Sequence, residues 1–327
     1  MTAAQVIEPG RVVLVRVPRP DPGAGQVRVA LEGSGVCASN LPVWGGRPWF
    51  RYPLPPGALG HEGWGTVEAV GAGADPAWIG RRVAAASEHA YAEFDVVAEE
   101  SLVPLPNGSP DVAPVEPFGC LFNILDRCAP ERGSWLAVVG LGFIGLGIVH
   151  LAVEAGARVI AVSSRPEALA RAREAGAEAA LAADLRADAS NREGVAVDIA
   201  ELTAGQGCAR VVECTGHQGP LDLAGDLVCA GGRLVIAGYH QDGPRRVDLQ
   251  QWNWKGIDVI NAHERSRARI RRGMQRAARA LARRHEWANA LVTHRFALGD
   301  LASALDRTAQ RPPGFVKGAV LTGEVRS

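Results

Sequence analysis

The sequence predicts an α/β protein that joins a β-rich N-terminal part to a doubly wound parallel sheet. Up to about residue 115, short alternating runs such as residues 11–16 and 26–30 are bounded by Gly and Pro, which indicates irregular β structure. From Ser134 onward, apolar strands alternate with glycine turns and alanine-rich helices, and this alternation predicts a parallel sheet. The length of 327 residues suits two domains.

The predicted elements of the second part follow in order along the chain. They alternate between strand and helix at residues 135–139, 143–155, 158–162 and 166–175, and further strands lie at residues 210–214, 233–237 and 257–261. An arginine-rich helix over residues 266–284 comes next, with one apolar face formed by Ile270, Met274, Ala277, Ala278 and Leu281. Residues 315–320 return to strand-like alternation, so we expect the C-terminus to rejoin the first domain.

Charge and cysteine content narrow the functional class. Basic and acidic side chains number 35 each, so the chain lacks the charge asymmetry of a nucleic-acid or membrane-surface binder. We therefore expect a small-molecule partner, no nucleic acid and no membrane. The six cysteines are irregularly spaced, and residues 1–15 do not resemble a signal peptide, which predicts a cytoplasmic protein with reduced thiols.

A glycine motif predicts a dinucleotide site. Gly140, Gly142 and Gly145 form a G-x-G-x-x-G pattern directly after a predicted strand and before a helix that begins with Phe143 and Ile144. The first glycine permits a tight turn, the second lets the backbone approach a pyrophosphate, and the third allows close packing of helix and strand. The first N–H groups of the helix are then available to the phosphates.

The end of the second strand indicates which dinucleotide binds. An NAD site normally places Asp or Glu there, roughly 20 residues after the glycine turn, to bind the ribose hydroxyls. In this chain the strand ends in Ser163, Ser164 and Arg165. Hydroxyls and a guanidinium suit a 2′-phosphate, so the sequence favours NADP(H) over NAD(H). The alternative is that Arg165 only begins the next helix.

Further polar and aromatic residues follow the later strands of the predicted sheet. Gly238, Tyr239 and His240 come after the strand at 233–237, and His263 and Glu264 come after the strand at 257–261. Ligands of doubly wound sheets bind beyond the carboxyl ends of the strands. We therefore expect Gly238 and Tyr239 to contact the cofactor, and the other three residues to lie near the nicotinamide or the substrate.

Two segments of the first domain place metal-binding side chains beside glycines. Cys37 follows Gly35, and His61 lies between Gly60 and Gly63. A thiolate and an imidazole suit Zn²⁺, and a catalytic zinc has three protein ligands and one open position. On its own, Cys37 is equally consistent with a small buried hydrophobic residue, and His61 with a hydrogen-bonded turn residue.

Taken together and in this order, the motifs resemble those of the zinc-dependent medium-chain alcohol and polyol dehydrogenases. The resemblance covers nearly the whole chain and rests on the segments GVCASN, GHEGWGTVEAVG, VEPFGC, VVGLGFIGLG and VKGAVL. It implies a GroES-like catalytic domain formed by residues 1–116 and 264–327, and a Rossmann NAD(P)-binding domain formed by residues 117–263.

The resemblance also implies a catalytic zinc site. Cys37 and His61 match the first two ligands of the family. Polyol-type members use a Glu as the third ligand and alcohol-type members use a Cys, so Glu116 and Cys120 compete here. The spacing back from Gly133, which precedes the first strand of the Rossmann domain, favours Glu116 and leaves Cys120 as the alternative. With Cys, His and Glu, two anionic ligands would balance the charge of Zn²⁺.

Three neighbouring residues have implied roles or depart from the family pattern. Glu62 matches an acid that approaches the metal when the open position exchanges, and Ser39 matches the hydroxyl that relays the alcohol proton towards solvent. Asn40 stands where the family usually has Asp, which orients the zinc-bound imidazole. The segment after Val83 contains none of the four cysteines that bind a structural zinc, so we predict one zinc per chain.

The resulting prediction is a zinc-dependent oxidoreductase that transfers a hydride between NADP(H) and a secondary alcohol or ketone. The aromatic residues Trp44, Trp49, Phe50 and Tyr52 cluster after Cys37 and suit a polyol, sugar or cyclitol. The alternatives are a zinc-free quinone or enone reductase of the same fold, and a non-catalytic NADP-binding protein. The resemblance implies a homodimer or homotetramer, with the strand at 257–261 as an edge for pairing.

Overall fold

The computed structural model describes residues 1–184 and 189–323, without the side chains of residues 189–191. The chain forms two compact units. Unit 1 comprises Met1–Cys120 and Arg265–Ser327, and unit 2 comprises Leu121–Glu264. Within the described residues, no helix combines the length and the apolar character needed to cross a membrane.

The N-terminal part of unit 1 consists mainly of strands. Its elements in chain order are β1 (Thr2–Glu8), β2 (Arg11–Arg16), β3 (Gln26–Val36), α1 (Leu41–Trp44), β4 (Glu62–Val70), β5 (Arg82–Ala86), β6 (Phe94–Ala98), β7 (Leu102–Pro104) and α2 (Val115–Cys128), which contains the boundary between the units. Along most of β3, buried side chains alternate with partly exposed ones, as expected for a strand with one face on the core.

Unit 2 alternates between strands and helices. Its elements are β8 (Trp135–Val139), α3 (Phe143–Glu154), β9 (Arg158–Ser163), α4 (Pro166–Glu174), β10 (Ala179–Ala182), α5 (Ala189–Leu202), β11 (Cys208–Glu213), α6 (Gln218–Leu227), β12 (Val228–Ile236), α7 (Leu249–Lys255) and β13 (Asp258–Asn261). The strands form a parallel sheet in the order β10, β9, β8, β11, β12, β13. The predicted α/β fold class is confirmed, and β8 has the predicted bounds.

Some predicted bounds in unit 2 are wrong. The sequence places one strand at residues 233–237, whereas β12 already begins at Val228. The strand passes through Gly231 and Gly232, with Gly231 at φ 67° and a register shift between Cys208 and Arg210 of β11. The cause is pairing with β11, which a single strand's own sequence does not reveal.

The C-terminal segment completes unit 1. It contains α8 (Arg267–Arg283), α9 (His285–Leu291), β14 (His294–Ala297), α10 (Leu301–Gln310) and β15 (Gly318–Leu321). The predicted apolar face of α8 is buried at Met274, Ala277, Ala278 and Leu281. The last strand begins later than residues 315–320 predict, because the N–H of Phe315 donates to Pro312 O in a turn.

The main sheet of unit 1 joins the two ends of the chain. Its strands lie in the order β14, β15, β3, β4, β5, β7, and β6 pairs with β3. Strand β15 runs antiparallel to β3 and places Gly318 opposite Val36. This register brings Lys317, which precedes β15, to the end of β3 where Cys37 follows.

Candidate functional site

Three potential metal ligands meet in unit 1. One ligand atom each of Cys37, His61 and Glu62 lies within 4.8 Å of the others. Cys37 follows β3. His61 directly precedes β4, and Glu62 is the first residue of β4, which pairs with β3. The predicted pair Cys37 and His61 is therefore brought together, and the third member of the triplet is Glu62.

The imidazole of His61 is oriented by the backbone. Its Nδ1 lies 3.0 Å from Leu59 O, so Nδ1 carries the proton and Nε2 is left as the ligand atom. Leu59 has φ 76°, an unfavourable value for a residue with a side chain. Asn40 Nδ2 donates to the same carbonyl, at 3.2 Å, and to the hydroxyl of the buried Tyr91, at 3.0 Å. Asn40 thus acts on His61 through Leu59 O.

Cys37 is held at the start of a short 3-10 helix, Ala38–Asn40. The backbone N–H of Ser39 donates to Cys37 Sγ at 3.5 Å. An N–H group pointing at sulfur stabilises a thiolate, which is the form of cysteine that binds metals.

Glu62 forms a buried ion pair with Lys317. Lys317 Nζ lies 2.8 Å from both Oε1 and Oε2 of Glu62 and donates to Val36 O at 3.1 Å. The carboxylate is fully buried, and a Cβ added to Gly35 would lie 1.8 Å from Oε2. Glycine at position 35 is therefore required for the carboxylate of Glu62 to occupy this place.

The two competing third ligands lie one helical turn apart in α2. The thiol of Cys120 donates to Glu116 Oε1 at 3.4 Å. Burial raises the pKa of Cys120 well above its ordinary value, and the charge of Glu116 raises it further. Cys120 is therefore a neutral donor to Glu116. Glu116 lies outside the Cys37, His61 and Glu62 triplet.

The charges of this region favour a bound cation. Burial lowers the pKa of His61, but the hydrogen bond to Cys37 and the charges of Cys37, Glu62 and Glu116 raise it to about 10. The negative charges that raise this pKa also favour a cation beside the imidazole, and a metal replaces the imidazole proton when it binds. One sulfur, one imidazole nitrogen and a carboxylate are also a donor set that Zn²⁺ accepts, so the residues fit the metal.

The glycine motif of unit 2 forms the predicted tight turn between β8 and α3. Gly140 has φ 95°, and a Cβ there would lie 2.3 Å from Thr215 Cγ2. Helix α3 begins at Phe143 after Gly142, and Phe143 and Ile144 contribute the N–H groups of its first turn. A Cβ on Gly145 would lie 1.9 Å from Gly140 O, so this glycine allows the helix to approach the turn.

An acid that the sequence reasoning missed follows β9, in the first turn of α4. Ser163 is buried, and its Oγ accepts the N–H of Arg165 at 3.2 Å, whereas Ser164 is exposed. Arg165 Nε donates to Glu167 Oε1 at 2.9 Å. A hydrogen bond from its own backbone N–H lowers the pKa of Glu167, and Arg165 lowers it further. Any 2′-phosphate must therefore compete with Glu167 for Arg165.

The residues after β12 and β13 differ in their surroundings. Tyr239 is exposed, and Gly238 packs so closely that a Cβ would lie 2.3 Å from Gly216 N. His240 contacts the buried Glu213, at 3.1 Å. Glu264 is ion-paired with Arg127 of α2, at 3.0 Å. His240 and Glu264 therefore each contact a charged side chain of the protein itself, Glu213 and Arg127.

The aromatic residues after Cys37 divide into two pairs. Trp44 is buried and donates to Asp306 Oδ1 at 2.8 Å, and the hydroxyl of Tyr52 donates to Val43 O. Trp49 is 61 % exposed, and Phe50 lies beside it at a ring-centroid distance of 6.0 Å. Only the second pair is available to a ligand as the structure stands.

Sequence reasoning missed Lys317 and Glu213. A signal for Lys317 was present, because the chain contains only two lysines, Lys255 and Lys317, among 35 basic residues. A lysine is rare in this arginine-rich chain, and its compact ammonium differs in shape and hydration from a guanidinium. Glu213 had a weaker signal, since it is an acid at the end of an otherwise apolar strand.

Two family models match the chain. A model described as "Alcohol dehydrogenase GroES-like domain" matches residues 23–107, and one described as "Zinc-binding dehydrogenase" matches residues 144–279. Together they cover about two thirds of the chain.

Curated and solved relatives cover most of the chain. A sorbitol dehydrogenase of Halalkalibacterium halodurans is 24 % identical over 325 residues, which span 89 % of this chain and 90 % of the relative. Mycobacterial Rv1454c, solved with NADPH, is 26 % identical with a TM-score of 0.79 and coverage of 98 % and 99 %. RspB of Escherichia coli CFT073, solved with NADH, is 22 % identical with a TM-score of 0.82 and the same coverage.

Proposed function

Because the chain belongs to the zinc-type medium-chain alcohol dehydrogenase family, whose members use NAD(P) to oxidise CH–OH groups, we propose that it transfers a hydride between NADP(H) and a secondary alcohol or the matching ketone. The observation that carries the proposal is the convergence of Cys37, His61 and Glu62 within 4.8 Å. A zinc-free reductase would not require a thiolate and an oriented imidazole at this place.

We assign the metal to Cys37, His61 and Glu116. Glu62 belongs to the geometric triplet, but Lys317 binds its carboxylate. The Glu116 carboxyl accepts from the neutral thiol of Cys120. Burial raises the pKa of Glu116, and the charge of His61 opposes this rise. In this assignment Cys120 orients the Glu116 carboxylate and is not itself a ligand. Glu62 stays next to the metal as a further acid.

The chain's own residues bind the reactants and move the proton. Bound zinc supplies the Lewis acidity that lowers the pKa of an alcohol, and the nicotinamide supplies the hydride chemistry. Ser39, which lies two residues after Cys37, accepts the hydroxyl proton of the substrate at its Oγ and passes it towards solvent. The Leu59 carbonyl keeps His61 in a single tautomer during this transfer.

The substrate class we propose is a polyol, sugar or cyclitol. A sorbitol dehydrogenase among the relatives supports a polyhydroxy substrate. The exposed side chain of Trp49 and the half-buried side chain of Phe50 supply an aromatic surface of the kind on which sugar rings pack. As the oligomer we propose a homodimer, formed at the exposed edge strand β13 with Val259 and the 92 % exposed Trp254.

The metal content of a Cys37→Ser variant tests the proposed function. We expect about one zinc per chain in the wild type and almost none in the variant, because a serine hydroxyl is a far weaker zinc ligand than a thiolate. Oxidation of polyols with NADP⁺ should be lost in parallel. Mass spectrometry of the metal and a turnover assay provide the two readouts.

Cys229→Ser is the matched control, since Cys229 is also a partly exposed free cysteine but lies in unit 2. It should retain both zinc and activity. If the wild type binds NADPH but contains no zinc, a zinc-free enone or quinone reductase becomes the better proposal. If it binds both but turns over no alcohol or ketone, it is a non-catalytic NADP-binding protein.

The preference for NADP(H) is tested at Arg165. In our proposal the guanidinium leaves Glu167 and pairs with the 2′-phosphate, an interaction worth about 1.5–3 kcal/mol. Arg165→Met should therefore weaken NADPH binding by roughly ten-fold or more and leave NADH binding nearly unchanged. Glu167→Gln removes the competitor and should strengthen NADPH binding. Equal losses of affinity for NADPH and NADH in Arg165→Met would contradict the preference. Titration calorimetry measures the affinities of both dinucleotides for the wild type and the two variants.

A further inference from the structure

Glu213 is a buried acid at the carboxyl end of β11, outside the proposed chemistry. Its side chain is fully buried. Oε1 accepts hydrogen bonds from the N–H of Gly216 at 2.9 Å and from both the N–H and the hydroxyl of Thr215. Burial opposes the ionised form, but hydrogen bonds from His240, Thr215 and Gly216 outweigh it and lower the pKa of Glu213. Glu213 is therefore an anion at neutral pH.

The other carboxylate oxygen contacts the loop after β12. His240 Nε2 lies 3.1 Å from Glu213 Oε2, and Arg245 Nε donates to His240 Nδ1 at 2.8 Å. A guanidinium N–H can only donate, so His240 Nδ1 must be the acceptor and the ring proton must be on Nε2. The hydrogen bonds thus run in one direction, from Arg245 through a neutral His240 to Glu213.

This chain of hydrogen bonds joins the two loops that follow β11 and β12. Arg245 also donates to Gly216 O at 2.6 Å, so it binds both loops. A Cβ on Gly238 would lie 2.5 Å from Glu213 Oε2, and one on Gly140 would lie 2.3 Å from Thr215 Cγ2. The hydrogen-bonded groups therefore lie directly behind Gly140 and Gly238, which we expect to contact the dinucleotide.

We propose that Glu213, His240 and Arg245 are positioning residues that set the shape of the dinucleotide site. They hold the two loops together through hydrogen bonds that run in one fixed direction. The inference rests on the proposed function, since it assumes that NADP(H) binds at this edge of the sheet. The three residues act through the backbone of Thr215, Gly216 and Gly238. The ordering of their protons makes the role testable separately from a general contribution to stability.

Glu213→Gln is the first test. The new amide oxygen can still accept from Thr215 and Gly216, but its NH₂ group then faces the Nε2–H of His240, so two donors oppose each other. His240 cannot relieve this by moving its proton to Nδ1, because Arg245 Nε–H points there. A mispaired buried group of this kind should weaken NADPH binding by about 10- to 100-fold. It should also raise the KM for NADP⁺ more than the KM for the alcohol.

The double variant Glu213→Gln/Arg245→Gln is the decisive test. In glutamine the amide oxygen and nitrogen are bonded to Cδ, as Nε is in arginine. The amide introduced by Arg245→Gln therefore reaches His240 Nδ1. It can accept from Nδ1–H, and the whole chain of hydrogen bonds can reverse. The double variant also loses the bonds of Arg245 to Gly216 O and Asp242. We therefore expect it to bind NADPH more tightly than Glu213→Gln but less tightly than the wild type. Nitrogen NMR of His240 should show the proton on Nε2 in the wild type and on Nδ1 in the double variant.

The control is Glu178→Gln, which changes an exposed acid paired with Arg158 next to the same sheet, and it should bind NADPH like the wild type. NADPH binding by Glu213→Gln at wild-type affinity would overturn the inference. A double variant that binds no better than the single one, with the proton still on Nε2, would also overturn it. Failure of the wild type itself to bind either dinucleotide would instead overturn the proposed function, on which the inference rests.

Discussion

Replacing Lys317 by methionine is expected to lower the free energy of unfolding of unit 1 by about 3–5 kcal/mol. Lys317 is only 4 % exposed, and its Nζ lies 2.8 Å from both oxygens of the fully buried Glu62. Without the ammonium, the buried carboxylate of Glu62 loses its hydrogen-bonded partner, and the imidazole of His61, 3.9 Å away, is the positive group that stays beside it. Urea unfolding of metal-free protein, followed by tryptophan fluorescence, measures the change.

A double variant separates the ion pair from packing. Glu62→Gln/Lys317→Met removes both charges and keeps similar volumes, so it should regain most of the lost stability. Lys255→Met is the matched control, because Lys255 is the other lysine of the chain and donates only to the carbonyls of Gly225 and Asp226. Lys255→Met should lower the free energy of unfolding by no more than about 1 kcal/mol. If the double variant is as unstable as Lys317→Met, the pairing argument is wrong.

The loss of unfolding free energy in Lys317→Met should also have a defined pH dependence. Burial lowers the pKa of Lys317, but the charges of Glu62 and Cys37 outweigh it and raise the pKa above its ordinary value of 10.5. A raised pKa stabilises the folded state at every pH below the unfolded value, and this stabilisation is lost only as pH rises through the folded value. The difference in unfolding free energy between the wild type and Lys317→Met should therefore stay constant between about pH 6 and pH 9.

Adding one methyl group at Gly145 is expected to weaken dinucleotide binding about 100-fold. The Cβ of Gly145→Ala would lie 1.9 Å from Gly140 O and 2.9 Å from Gly140 C, and a backbone cannot yield as a side chain can. Helix α3 or the glycine turn must move by an ångström or more, and misplacement on that scale costs about 100-fold. The overpacking should also destabilise unit 2 by about 1–3 kcal/mol.

Gly194 provides the matched control for Gly145. It lies inside helix α5, is exposed, and has nothing within 4 Å of an added Cβ. Gly194→Ala should therefore stabilise unit 2 by roughly 0.5–1 kcal/mol, through helix propensity alone, and leave NADPH binding unchanged. Thermal unfolding and NADPH titration of both variants give the comparison. Normal NADPH affinity in Gly145→Ala would show that the close approach of helix and turn is not required.

Elements with a strong local pattern were predictable, and those that depend on their neighbours were not. Strand β8 and the start of α3 were predicted within a residue, since an apolar run followed by a glycine turn is a local signal. Ala179–Ala182 is a strand only because it pairs with β9, where Ala179 lies opposite Ile160. Its alanines have no strand preference of their own.

The same division applies to the candidate sites. Cys37 and His61 were predicted from residue type, the glycines beside them and the resemblance to the zinc-dependent dehydrogenases, and the structure brings them together. The acid that follows β9 was missed because Glu167 lies in the first turn of α4, beyond the strand end at which the ribose-binding acid was sought. The orientation of His61 by Leu59 O was also missed, because a backbone carbonyl leaves no mark in the sequence.

By itself the sequence determined the fold class and the position of the glycine turn, because both depend on residue patterns along short segments of the chain. It also proposed Cys37 and His61 as metal ligands, through their residue types and the family resemblance. Only the tertiary structure decided the partners of the buried acids. Glu62 and Lys317 lie 255 positions apart and meet through the register of β15 on β3. Glu213 and His240 meet because β11 and β12 are neighbours in the sheet. A buried charge needs a partner wherever the fold can supply one, and strand order and register, not local periodicity, determine which residue that is.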